Sequence, residues 1–232
     1  EMLRRVVALK FLQRCDARRL ERLLWEAQAQ ARADHPNICK VYEVGTFQGY
    51  PYISMQYIKG ETVEKASVKM SLLQKVAVFR ALADALHAAH RQGLLHRDIK
   101  PSNILVREEE GGRWQPYILD FGIAHEFNQA GAKEGASLVG TPLYMSPEQI
   151  AGDAVHLDRP TDVYGLGVTF YECLVGQPPF RGEGRALFEK ILQEKPPSLA
   201  RLGIPRDLAA IVHKCLAKHP SARYASMADL AA

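Results

Sequence analysis

No run of eighteen apolar residues occurs anywhere in the 232-residue chain, so nothing in it reads as a membrane-spanning helix. No secretory leader is visible either. Cysteine is scarce. The four stand at 15, 39, 173 and 215, and no two have C-x-x-C spacing, which leaves out the usual zinc and redox motifs. Free thiols in a reducing, cytoplasmic compartment are the expectation. The chain also lacks a dense basic stripe with interleaved aromatics. Its formal charge of +4 is mild, so nucleic acid is not an expected partner. It has no internal repeat, and its low complexity is confined to Glu108-Glu109-Glu110. Hydrophobic residues at 47% and charged residues at 24% are ordinary for a globular domain. A domain of this size buries roughly 70% of its unfolded surface and needs no covalent staples. The first residue is Glu1 rather than Met, so the sequence reads as a fragment, with room for a membrane anchor or sensor outside it.

What is present falls into two parts. Val6-Val7-Ala8-Leu9-Lys10-Phe11 predicts a short buried strand. Residues 16–32 predict a helix, with Leu20, Leu23, Leu24, Ala27 and Ala31 forming one apolar stripe and Asp16 as N-cap. His35-Pro36-Asn37 stops it. Strands are predicted over 38–46 and 52–56, with Gly49 in the turn between them. After Gly60 the pattern changes. Leu72, Val76, Phe79, Leu82, Ala83, Leu86 and His90 mark a long helix over 72–92, ended by Gly93. Two short strands, 104–106 and 117–119, flank a hairpin turn at Gly111-Gly112. From Pro147 the chain reads as helical, and 162–175 is its most apolar helix. Strands with one helix, followed mainly by helices, make an α+β arrangement in two unequal lobes.

Three constellations carry chemistry. The strongest is His96-Arg97-Asp98-Ile99-Lys100-Pro101-Ser102-Asn103, a match to H-R-D-x-K-x-x-N. Chance matches to its five fixed positions are expected on the order of 10⁻⁴ times in such a chain. Asp120-Phe121-Gly122 follows Asn103 by seventeen residues, at the end of an apolar strand. Val7-Ala8-Leu9-Lys10 has the form of the strand that ends in a phosphate-binding lysine.

Together these residues resemble a Hanks-type, or eukaryotic-type, serine/threonine protein kinase, over nearly the whole chain. Gly140-Thr141-Pro142-Leu143-Tyr144-Met145-Ser146-Pro147-Glu148-Gln149 is similar to the end of an activation segment. Asp162-Val163-Tyr164-Gly165-Leu166-Gly167-Val168 resembles the helix beneath the catalytic loop, and Pro220-Ser221-Ala222-Arg223-Tyr224 the late arginine motif. The first and last of these look most like bacterial members. The resemblance implies a partial kinase domain over 1–232, with a β-rich N-lobe over 1–58 and a helical C-lobe over 59–232. It implies ATP and Mg²⁺ as cofactors and protein serine or threonine hydroxyls as acceptors, the work of a non-specific serine/threonine protein kinase in signalling.

Phosphoryl transfer through a loose transition state leaves the protein to position groups and neutralise charge. On the resemblance, Asp98 orients or deprotonates the acceptor hydroxyl, and Lys100 neutralises the transferring phosphate. Asn103 and Asp120 supply the oxygen ligands that Mg²⁺ prefers. Thr141 bonds Asp98 and Lys100, which argues against a tyrosine kinase. Lys10 holds the α- and β-phosphates and is itself held by a helix carboxylate. Glu21 and Glu26 compete for that place. They lie about 140° apart on a helix, so only one faces Lys10, and Glu26 fits the family's helix pattern better. Ala8 roofs the adenine pocket and Leu105 floors it. Met55 stands at the gatekeeper position, Gln56-Tyr57-Ile58 form the hinge, and Glu61 reaches toward the ribose. Glu148 and Arg223 form a buried ion pair, and Asp162 hydrogen-bonds the catalytic-loop backbone. Arg97 beside Asp98 implies switching by a phosphate on the loop, with Ser137 as the acceptor of self-phosphorylation.

His87 and His90 stand three apart, but no carboxylate or cysteine joins them in sequence, so they read as core or surface histidines rather than metal ligands. Trp114 reads as an edge-strand packing residue and Glu108-Glu109-Glu110 as a solvated hairpin tip. The departure from the family lies at the start. Only six residues precede Val7 and none is glycine, so the first two strands and the Gly-rich loop are expected to be absent. The expectation is an exposed sheet edge and weak activity in the chain as it stands. Two other classes compete: a pseudokinase scaffold, which would need none of Lys10, Asp98, Asn103 and Asp120, and a small-molecule phosphotransferase, which would not need the peptide-positioning run from 140 to 149.

Overall fold

The computed structural model describes residues 5–11, 27, 30, 31, 33–121, 142–153 and 157–232. Most of the helix predicted over 16–32 lies outside these residues, as do Glu21, Glu26, Ser137, Gly140 and Thr141. Ala27, Gln30 and Ala31 are helical.

Strands β1 (Val7–Phe11), β2 (Val41–Phe47) and β3 (Tyr50–Gln56) form an antiparallel sheet in the order β1-β3-β2. Gln48 and Gly49 both have positive φ, 50° and 78°, and Phe47 pairs with Tyr50 across them. That is the two-residue turn whose twist suits a hairpin. β2 starts three residues later than its apolar run suggests. The reason is that Asn37, Ile38 and Cys39 run alongside Ile118: the Ile118 N–H donates to the Asn37 carbonyl at 2.8 Å, and the Cys39 N–H to the Ile118 carbonyl at 2.9 Å.

A second sheet holds β4 (Glu61–Thr62), β5 (Ile104–Glu109) and β6 (Arg113–Ile118). The β5–β6 hairpin is twice as long as the apolar residues predict. Its outer arms are mostly polar, Trp114 and Pro116 apart, and carry no alternation that could have been read. They are held by strand pairing and by Gln74 Nε2, which donates to the Gly112 carbonyl at 2.6 Å. Trp114 is half-buried on β6, an edge strand, and packs on the main core.

Helices make the rest: α1 (Val63–Ser67), α2 (Leu72–Arg91), α3 (Pro147–Ala151), α4 (Arg159–Val175), α5 (Gly184–Gln193), α6 (Arg206–Cys215) and α7 (Met227–Ala231). α2 opens on a reciprocal cap, Ser71 with Gln74, and closes before Gly93 at φ 76°. α4 is buried without a break from Thr161 to Cys173, the mark of a helix central to its lobe. Phe79 of α2 stacks on Phe170 of α4 with ring centroids 4.1 Å apart. Two apolar clusters result. The larger joins α2, α4 and the surrounding helices; the smaller joins Ala27, Cys39, Val41, Ile53, Met55, Ile58 and Tyr117. No helix of the described residues is long and apolar enough to cross a membrane.

Candidate active site

The segment after α2 has no regular structure until Pro101, so its shape depends on side chains. Asp162 supplies most of them. It projects from the first turn of α4, is 1% exposed, and accepts from the His96 N–H at 2.8 Å and the Arg97 N–H at 2.6 Å. Burial alone would push its carboxyl up. The hydrogen bond and charge of His90, with the contribution of His96, outweigh that and hold it below the usual carboxylate range. The His96 ring is fixed from both ends. Its Nδ1 accepts from the Asp98 N–H at 3.2 Å, so Nε2 donates to the Leu119 carbonyl at 2.7 Å. The ring also lies 4.8 Å from that of Phe121. Gln149 of α3 donates to the Arg97 carbonyl at 2.9 Å.

These anchors hold two residues in the left-handed region that side chains disfavour: Arg97 at φ 62° and Asp120 at φ 54°. Each costs about 1–3 kcal/mol, and such backbone persists where its surroundings dictate it. Both flank the polar cluster. Asp98 is part-buried and its carboxylate takes Lys100 Nζ at 2.8 and 3.0 Å. Asn103 Nδ2 lies 2.9 Å from the Asp98 carbonyl and 3.0 Å from Oδ2. The Leu119 N–H donates to the Asn103 carbonyl at 2.9 Å, which ties this loop to Asp120. Lys10 reaches across from β1 and donates to Asp120 Oδ2 at 2.6 Å. The other oxygen, Asp120 Oδ1, is buried without a hydrogen-bond partner among the described residues.

Beside this cluster lies an apolar wall. Ala8 pairs with Met55 across the sheet; Met55 and Ile58 belong to the smaller cluster, and Ala8 and Leu105 pack against it. The chain leaves β3 at Gln56 and runs through an exposed Tyr57 to Ile58. Glu61 is taken by Lys69 at 2.6 Å. Lys10, Asp98, Lys100, Asn103 and Asp120 thus form one linked cluster, with Ala8, Met55, Gln56, Ile58 and Leu105 along its side. Glu26 and Thr141 fall outside the described residues. The expected supports are in place: Asp162 holds the loop backbone, and Arg223 grips Glu148 through two 2.8 Å contacts. His90 is the core histidine expected from sequence, at 2% exposure, but it meets a carboxylate that the sequence reading did not join to it. Its Nε2 sits 2.8 Å from Asp162 Oδ2. The available signal was its place in the buried row Leu82, Leu86, His90, since a buried histidine needs a partner. Gln149 left no such signal.

Asp120 Oδ1 and the amide oxygen of Asn103, whose nitrogen is committed to Asp98, are hard oxygen donors of the kind Mg²⁺ takes. The residues present therefore fit that ion.

Comparison with known proteins agrees with this fold. A family model described as "Protein kinase domain" matches residues 2–231. Serine/threonine-protein kinase PknB of Mycobacterium tuberculosis is 36% identical over 219 residues, covering 89% of this chain and 34% of its own length. PknH of Mycobacterium bovis is 34% identical over 217 residues, covering 91% of this chain and 35% of PknH. The chain spans about a third of the length of these curated relatives. The crystal structure of the PknI kinase domain of Mycobacterium tuberculosis superposes with a TM-score of 0.74 at 28% identity, covering 97% of this chain and 83% of that one.

Proposed function

The chain belongs to the protein kinase domain family, on the serine/threonine side, and from that premise we propose that its polar cluster transfers the γ-phosphate of ATP to serine or threonine hydroxyls of proteins. One observation carries the reading: Lys10, Asp98, Lys100, Asn103 and Asp120 come from three separate stretches of chain, yet are linked by contacts of 2.6 to 3.0 Å.

In this reading Asp98 takes the proton of the acceptor hydroxyl as its oxygen attacks the terminal phosphorus, and the bond to the leaving ADP oxygen breaks. Lys100 and Asn103 already aim the Asp98 carboxylate, so little reorganisation is needed. Lys100 also faces the charge that develops on the transferring group. Lys10 turns from Asp120 to the α- and β-phosphates. Asn103 and Asp120 would hold Mg²⁺, which when bound neutralises phosphate charge. Ala8 and Leu105 flank the adenine, beside Met55, while backbone groups of Gln56 and Ile58 bond its edge. Glu61, now paired with Lys69, lies toward the ribose end. Glu26 as partner of Lys10, Thr141 as partner of Asp98 and Ser137 as phosphate acceptor complete the reading on their motifs alone. We place the lobe boundary between residues 58 and 59, just after the last strand of the first sheet and before the strand that opens the second. Buried free thiols at Cys39, Cys173 and Cys215 suit a cytoplasmic setting.

The test is phosphate transfer from Mg-ATP to a generic serine/threonine protein substrate, read by mass spectrometry. Asp98→Asn should lower the rate by about 10²–10⁴-fold, the usual share of a general base. Equal rates from the variant and the unsubstituted protein would remove Asp98 from the chemistry.

A further inference from the structure

We propose that Gln149 is a positioning residue for catalysis: its side-chain amide bridges the start of α3 to the peptide unit from which Asp98 projects. The proposal rests on the catalytic reading of Asp98 above. Gln149 is the third residue of α3, which opens on Ser146 as N-cap. Its Oε1 accepts from the Ser146 N–H at 2.9 Å, and its Nε2 donates to the Arg97 carbonyl at 2.9 Å. One partner is a donor and the other an acceptor, so the amide has a single workable orientation. Turned over, it would set oxygen against the carbonyl and nitrogen against the N–H.

The place of that contact gives it its reach. The Arg97 carbonyl and the Asp98 N–H belong to one planar peptide unit, the last before the Asp98 side chain. The unit is held at both ends: the Asp98 N–H donates to His96 Nδ1 at 3.2 Å, and the Arg97 carbonyl takes Gln149. Asp162 grips the two units before it, through the N–H groups of His96 and Arg97, so its hold stops one unit short of Asp98. Arg97 stands at φ 62°, a conformation that persists only where its surroundings dictate it. Gln149 approaches from outside the loop and from a fixed base. Its chain neighbour Glu148 is held by Arg223 at 2.8 Å and by Thr161 at 2.9 Å. Acting through the Arg97 backbone, Gln149 bears on the aim of Asp98 rather than on nucleotide binding. It also ties that aim to the seating of α3, at the end of the run expected to position a peptide.

The test compares Gln149→Glu and Gln149→Met in the full protein. Glutamate still accepts from the Ser146 N–H, a favoured arrangement at a helix start, but turns an oxygen toward the Arg97 carbonyl. Methionine keeps the length of the side chain and loses both contacts. Each variant should lower kcat at least tenfold, leave KM for Mg-ATP within twofold, and speed amide exchange at Asp98 at least tenfold. Exchange in the middle of α4 should stay unchanged. Gln149→Glu should also keep the urea midpoint of the unsubstituted protein, which separates lost aim from lost stability. A folded Gln149→Glu with kcat within twofold overturns the proposal, whatever methionine does, because Gln149 is then a helix cap and nothing more. Unchanged exchange at Asp98 overturns it too. If Gln149→Met does not fold, Gln149→Glu decides alone by the same limits. An unsubstituted protein that transfers no phosphate counts against the catalytic reading of Asp98. Amide exchange then still decides the link from Gln149 to the loop.

Discussion

Asp120 holds two conflicting features in one side chain. Oδ2 is paired with Lys10 at 2.6 Å, while Oδ1 is buried and has no hydrogen-bond partner among the described residues. An orphan buried acceptor costs about 1–3 kcal/mol, so its survival calls for a function. A cation satisfies it; a structural role does not. Asparagine tests this cleanly, because it tolerates the left-handed backbone at φ 54° almost as well as aspartate. Asp120→Asn should weaken ATP binding at least tenfold in Mg²⁺ and much less in EDTA, since only the metal-dependent part needs the charge. Calorimetric titration in the two buffers measures it. Equal losses in both would mean that Asp120 serves only as the partner of Lys10.

At the scale of elements, α4 is the reference on which the site is built, and glycine sets how closely its neighbours approach. A Cβ on Gly167 would stand 2.6 Å from the Cβ of Cys215, so α4 and α6 meet nearly backbone to backbone. Gly165 admits Ile99 in the same way, with a Cβ contact of 3.1 Å. Gly167→Ala should destabilise the fold by about 1–3 kcal/mol through overpacking, although alanine is the better helix former. Urea denaturation reads this as a lower midpoint; an unchanged or higher midpoint would mean that α6 can shift freely. Elements of this kind were legible in sequence. The 162–175 run declared a buried helix by its apolarity alone, and α2 declared one by its stripe and Gly93. Asp98 and Asp120 were legible because their spacing belongs to the chemistry. The outer arms of the β5–β6 hairpin were not, because polar residues in solvent carry no period. Nor was the partner of His90, which lies seventy-two residues away and is chosen by the packing of α2 on α4. Local pattern shows that a histidine is buried and leaves open what it meets.

For the whole molecule, the contact that closes the larger lobe is Glu148 with Arg223, seventy-five residues apart. Glu148 lies within the run from 140 to 149 expected to position a peptide, and Arg223 lies near the far end of the described chain. Arg223 is 4% exposed and spends its remaining donors on the carbonyls of Ala217, Pro160 and Lys218; Thr161 Oγ1 donates to Glu148 Oε1. Burial by itself would push the Glu148 carboxyl up, but the Arg223 guanidinium outweighs it and holds the carboxyl below its ordinary 4.5. The consequence for pH follows from proton counts. Between the folded and unfolded values the unfolded chain binds more protons, so stability rises with pH there. The contribution is full above about 4.5 and is lost as pH falls through the lower, folded value. Glu148→Gln cannot titrate and leaves Arg223 a buried cation without its counter-charge. It should cost about 3–5 kcal/mol at pH 7, and the gap to the unsubstituted protein should close as the pH drops below that point. Replacing both partners with apolar residues of like volume should recover most of the loss, because the desolvation cost goes with the charges. Urea midpoints from pH 7 down to pH 3 check both statements. A gap that stays constant over that range would show that the pair holds no charge energy, and the lobe would then owe its closure to packing alone.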